Sequence, residues 1–161
     1  MKFIQSVVTC AALIVASAAF SQTNINLGAV NADPNAPVEI TADNLSIDQT
    51  SGEAVFAGNV VLGQGDLRLS AGQVQVIYND ASGDISRLSA SGGVTLVTAS
   101  EAAESATAEY NLDAGTLLMS GDVLLTQGAS AISADRMNID LSTGAARMEG
   151  RVRTIFNQGG N

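Results

Sequence analysis

A short element, glycine followed by any residue and then valine, recurs four times in phase and constrains this chain more than anything else in it. Gly58-Asn59-Val60, Gly92-Gly93-Val94, Gly121-Asp122-Val123 and Gly150-Arg151-Val152 lie 34, 29 and 29 residues apart. A further glycine precedes each of them: Gly52, Gly83, Gly115 and Gly144. At a spacing of 63 residues the self-match runs without a gap, from Gly58-Asn59-Val60-Val61-Leu62-Gly63-Gln64-Gly65 onto Gly121-Asp122-Val123-Leu124-Leu125-Thr126-Gln127-Gly128. Leu69-Ser70-Ala71 then falls on Ile132-Ser133-Ala134, and Val74-Gln75-Val76 on Met137-Asn138-Ile139. Each unit reads strand, turn, strand, turn. One such unit cannot bury its own apolar face, so the units must stack.

Between the glycines the apolar residues alternate with period two, as strands require. One face is set by Val38, Ile40, Leu45, Ile47, Val60, Leu62, Leu67, Leu69, Val74, Val76, Tyr78, Val94, Leu96, Val123, Leu125, Ile132, Met137, Ile139, Val152, Thr154 and Phe156. Asp48, Asp113 and Asp140, close before turn glycines, suit turn initiation, and the repeated glycines suit positive φ in turns or bulges that coil a sheet. Only residues 99–108, rich in Ala, Ser and Glu, favour helix, and their place between units predicts a loop leading into another strand. The reading is all-β: one domain of repeated short antiparallel strands over residues 38–156.

The chain opens on Met1-Lys2 and an almost wholly apolar run to Phe20, with Ala16-Ser17-Ala18 as an A-x-A cleavage pattern. This predicts a secretory signal peptide over residues 1–21, the mature chain starting between Ala19 and Gln22. A retained membrane anchor is the alternative, for which the run is short and polar-speckled. Thr9 directly before Cys10 argues against a lipoprotein box. Residues 22–37, with Pro34, Pro37 and several asparagines, read as a flexible lead, and residues 157–161 as a tail.

Composition removes whole classes of function. Among 161 residues there is no histidine, and the single cysteine, Cys10, lies in the signal segment. The mature chain therefore has no Cys/His zinc site and no Ser-His-Asp or Cys-His centre, and no metal or cofactor is expected. No catalytic residues stand out, because no pair of carboxylates is singled out by its spacing. Removal of Lys2 leaves six arginines against sixteen acids, a net charge of -10, which disfavours a nucleic-acid partner.

Four segments carry a family resemblance: Pro37-Val38-Glu39-Ile40-Thr41-Ala42-Asp43, Ala54-Val55-Phe56-Ala57-Gly58-Asn59-Val60, Leu117-Leu118-Met119-Ser120-Gly121-Asp122-Val123 and Ala134-Asp135-Arg136-Met137. They resemble the OstA-like domain of the LptA family of periplasmic lipopolysaccharide-transport proteins, over about residues 38–156. The resemblance implies a twisted, V-shaped β-jellyroll with an apolar interior, whose copies stack head to tail into a groove. Lipopolysaccharide would pass along that groove from inner-membrane to outer-membrane assembly components, without catalysis and in the periplasm.

On that reading the groove candidates are Ile40, Leu45, Ile47, Val60, Leu62, Leu67, Leu69, Val74, Val76, Val94, Leu96, Val123, Leu125, Ile132, Met137 and Ile139. Alternation looks the same for an open groove and for a closed sandwich core, so both stand at this point. Val38 to Ala42 and Arg151 to Phe156 are the candidate edges for stacking. Eight acids lie between Asp33 and Asp84, whereas Arg136, Arg147, Arg151 and Arg153 outnumber the acids after Ser130. Arg147, Arg151 and Arg153 are therefore candidates for a lipid phosphate or a neighbouring subunit. The alternative to the carrier reading is a structural β-repeat module of solenoid or adhesin type.

Overall fold

The structure is a computed structural model and describes residues 23–26, by their backbone, and 36–156. The signal segment, most of the lead and the tail lie outside the described residues. Among the described residues twelve strands form one antiparallel sheet: β1 (Thr23–Asn26), β2 (Glu39–Thr41), β3 (Asn44–Asp48), β4 (Glu53–Gln64), β5 (Leu67–Tyr78), β6 (Ile85–Val97), β7 (Glu101–Ser105), β8 (Thr107–Asn111), β9 (Thr116–Gln127), β10 (Ser130–Asp140), β11 (Ala145–Glu149) and β12 (Arg153–Phe156).

The glycine-x-valine elements interrupt β4, β6, β9 and the run from β11 to β12 at one level of the sheet. Register shifts fall between Ala57 and Val60 in β4, Ala71 and Gln73 in β5, and Ala134 and Arg136 in β10. At each element two successive residues are left-handed: Gly58 and Asn59, Gly92 and Gly93, Gly121 and Asp122, Gly150 and Arg151. Such paired positive φ angles kink a strand, which is why glycine leads each pair. The kinks are tied to the neighbouring strand by backbone hydrogen bonds: Asp43 N donates to Gly58 O, Ala106 N to Gly121 O and Asp135 N to Gly150 O, each 2.9 Å. A bend line therefore crosses the sheet and divides it into two leaves. Leaf A holds β2, β7, β12 and the parts of β4, β5, β6, β9 and β10 next to the turns at 65–66, 98–100 and 128–129. Leaf B holds β3, β8, β11 and the remaining parts.

Burial alternates along both leaves, and no second layer exists among the described residues, so each leaf is the cover of the other. Val60, Leu62 and Leu69 from leaf A share one core with Val76, Leu88, Met119 and Met148 from leaf B. The jellyroll expected from the resemblance is this closure of one bent sheet upon itself.

Two expectations need correction. Residues 99–108 are not a loop: they supply β7 and the first two residues of β8, which pair with β6 and β9. Burial of Ala103 and Ala108 outweighs the weak β propensity of alanine. Within the lead, Thr23–Asn26 is a strand, β1, paired to β11.

The turns around Gly52, Gly83, Gly115 and Gly144 share a device that the sequence reading only half identified. Four residues before each stands Asp48, Asn79, Asn111 or Asp140, and its side-chain oxygen accepts a backbone N–H: from Thr50 at 2.7 Å, Ala81 at 2.9 Å, Ala114 at 2.9 Å and Ser142 at 2.9 Å. At the third turn Asn111 takes the role expected of Asp113. Counting back from the glycine would have found the pattern, because amides and carboxylates serve alike.

These bonds bear on acid stability. The Thr50 and Ser51 amides hold Asp48 below the usual carboxylate range, and the Ser142 hydroxyl with the Thr143 and Ser142 amides does the same for Asp140. Asp135 is held low by the Arg151 guanidinium. A lowered folded pKa contributes stability above the unfolded value, about 3.9, that is lost as pH falls through the folded value. We expect a melting temperature that is level from pH 7 to about 5 and falls below about 4. Circular dichroism melts check this, and a temperature that rose on acidification would contradict it.

Candidate functional site

The interior between the leaves is the candidate site. Of the sixteen groove residues predicted from sequence, thirteen are buried there, running from Val60 and Leu62 at one end to Met137 and Ile139 at the other. Ile40 is half-buried against the same core. Leu45 and Ile47 are not enclosed: on β3 they oppose Phe56 and Ala54, whose side belongs to the core, yet they are 52% and 64% exposed. At the other end Phe156, opposite Ser130 in leaf A, is 73% exposed. The apolar interior thus reaches solvent at both ends of the sheet.

Between β4 and β9 the interior is packed. The void lined by Leu62, Leu67, Leu69, Val74, Leu88, Ala90, Ala108, Tyr110 and Leu117 amounts to about 10 Å³. That is room for one water at most. Of the two readings left open by alternation, this conformation is the closed core, and a chain-like guest must part the leaves to enter.

Two polar groups mark the margins of the interior. Tyr110 of leaf B donates from its hydroxyl to Gln64 Oε1 of leaf A at 2.7 Å, and Gln64 Nε2 donates to the Ala36 carbonyl at 3.1 Å. This buried bond ties leaf to leaf, and burial pushes the Tyr110 hydroxyl above its ordinary pKa. Glu101 is buried on leaf A, where its carboxylate accepts from Thr98 Oγ1 at 2.8 Å and Gln127 Nε2 at 3.0 Å. Both groups are satisfied, which makes their burial affordable. Sequence reasoning missed both. For Gln64 the signal available was its inward position after Val60 and Leu62; Glu101, in a run of Ala, Ser and Glu, offered none.

The three candidate arginines divide. Arg151, left-handed at φ 44°, is bound through Nε and Nη2 to Asp135 Oδ1 at the bend line. Asp43 and Asn59 form the matching pair at the other end, where Asn59 Nδ2 donates to Asp43 Oδ2 at 2.8 Å. Arg147 and Arg153 are exposed on β11 and β12, and β1 lies beside β11. Among the described residues no group of three or more His, Cys, Asp or Glu side chains is placed to hold a metal ion.

The family described as "LptA/(LptD N-terminal domain) LPS transport protein" matches residues 39–145, from β2 to the start of β11. The chain belongs to this LptA/LptD N-terminal family. A Rhizobium meliloti (strain 1021) protein of undescribed function is 30% identical over 154 residues, covering 88% of this chain and 83% of its own length. The crystal structure of LptH, described as the LptA-homologous periplasmic component of the lipopolysaccharide transport device of Pseudomonas aeruginosa, superposes with a TM-score of 0.68. That match covers 78% of this chain and 99% of LptH at 16% identity, and establishes a shared LptA-like fold.

Proposed function

We propose that this protein is a periplasmic lipopolysaccharide carrier, exported by its N-terminal segment, which holds lipid A acyl chains between its two leaves. In this reading it takes them from an inner-membrane component and passes them to an outer-membrane component. The supporting observation is the unbroken aliphatic interior that ends in exposed Leu45 and Ile47 on one side and Phe156 on the other. Family membership supplies the lipid class. Stacked head to tail, β2 and β3 of one copy would lie along β12 and β11 of the next and cover these ends. Acidic Glu39, Asp43 and Asp48 would then face Arg147 and Arg153, favouring that order over head to head.

Closure of the interior is compatible with the role. An acyl chain of about ten methylenes gains roughly 8 kcal/mol on leaving water, but a lipid moving from membrane to membrane recovers most of that at either end. A carrier needs even walls and a low cost of opening, not a preformed tight pocket.

A photoreactive residue at Val76 or Leu125, both interior, should crosslink to lipopolysaccharide in the exported protein, while one at outward-facing Gln75 should not. Crosslinks confined to Gln75 would place the lipid on the outer surface and end the interior reading.

A further inference from the structure

The terminal edge of the sheet is half covered by the chain's own beginning. β11 and β12 together run along β10 as one bent strand, β11 on leaf B and β12 on leaf A. β1 pairs with β11 alone: Thr23 opposite Met148, Asn24 opposite Arg147, Ile25 opposite Ala146 and Asn26 opposite Ala145. Among the described residues β12 has no strand beyond it, and Ile155 and Phe156 are exposed. The edge is therefore stepped, one strand deeper on leaf B than on leaf A. At the opposite end β2 and β3 form an unstepped pair of half-strands along β4. A second copy brought up by β2 and β3 cannot pair with both β12 and β11 while β1 is in place.

We propose that β1 is a displaceable cap on the β11 edge, and that the strand it competes with is β3 of a second copy of this chain. The proposal rests on the head-to-tail reading above and adds to it a brake on assembly.

Reach and length show how such a cap behaves. From β2 to β1 the sheet order takes eight strand steps, about 38 Å at roughly 4.8 Å per step. Residues 27–38 must cover that distance, and a chain of this length spans at most about 45 Å. A flexible chain of twelve residues has a mean span of only about 20 Å, so a connection of this length favours pairing of β1 at its own edge only weakly. Four paired residues are also a short strand, and the two together make β1 displaceable. An incoming β2 and β3 offer pairing on both leaves and would bury Leu45, Ile47 and Phe156 as well. The cap therefore resists loose or one-leaf encounters with an unpaired strand, the usual hazard of an open edge. It yields to a partner that engages the whole edge.

The mature chain has no cysteine, which makes the test direct. Four forms of the exported, processed protein would be compared by light scattering over a concentration series: unchanged, with residues 22–26 deleted, with Asn24→Pro, and with Ile25→Cys and Ala146→Cys oxidised to a disulfide. Deletion and Asn24→Pro, which removes an N–H from β1, should each bring association to at least tenfold lower concentration. They should also speed amide exchange at Ala145–Met148. The oxidised pair should stay monomeric until reduced. Association unchanged by deletion, or abolished by it in a chain that keeps its β-sheet spectrum, overturns the cap and leaves stacking standing. If no form associates at any concentration, stacking and cap are both wrong.

Discussion

Replacing Gly150 with alanine should destabilise the protein by about 3 kcal/mol, and Gly52→Ala by only about 1. Both glycines are left-handed, at φ 77° and φ 70°, so each substitution carries the cost of about 1–2 kcal/mol of placing an L side chain there. They differ in surroundings. A Cβ at Gly52 meets nothing within 4 Å. At Gly150 it runs into the Asp135 carboxylate and also comes within 2.8 Å of Asp135 Cβ. Swinging the carboxylate aside does not relieve the second contact, and it breaks the bond from Arg151. Strain of this kind adds about 1–3 kcal/mol. For a domain of this size, 3 kcal/mol lowers the melting temperature by roughly 10 °C. Urea unfolding of the two variants measures the difference directly. Equal losses at both positions would show that the close packing of the bend line contributes nothing.

Leu62→Ala should move stability and lipid uptake in opposite directions. Leu62 is 1% exposed and lines the small interior void. Truncation of such a leucine costs about 2–5 kcal/mol, because the surroundings collapse only in part onto the space left. That space is apolar and borders the proposed path of an acyl chain, so on that reading part of the work of parting the leaves is already done. Unfolding should come at lower urea while crosslinking of lipopolysaccharide from Val76 increases, by about two- to fivefold if the opening cost falls by about 0.4–1 kcal/mol. A protein whose interior is only a core would lose stability with no gain in crosslinking. Parallel loss of both would therefore argue against the interior as the lipid path.

The sequence-to-structure relation is uneven for physical reasons. Strand order and inward-facing residues were readable wherever valine, leucine and isoleucine alternated, as in β4, β5 and β10, because period two has one interpretation on a half-buried sheet. The bend line was readable as glycines in phase, since left-handed backbone has few other sources. β7 and β8 were obscured because alanine, serine and glutamate state no strand preference and follow their neighbours. β1 was obscured because a four-residue polar segment has no periodicity, and its partner lies at the far end of the chain. Inward-facing Leu45 and Ile47 could be identified, but not their exposure, which depends on the sheet ending there. Nor does alternation register whether two leaves touch, so the closed interior and the Tyr110–Gln64 bond needed coordinates.

The bend line also separates two quantities that most folds determine together. The kink in each strand sets how far a leaf extends before it turns, and hence the width of the molecule. The number of kinked strands sets its length. Two of the three intervals between glycine-x-valine elements are 29 residues, and each interval adds one outgoing and one returning strand. Gain or loss of one such unit would lengthen or shorten the protein by two strand spacings, roughly 10 Å, at constant bore. A chain built this way can be lengthened or shortened by whole repeats, with the chemistry of its walls left as it was.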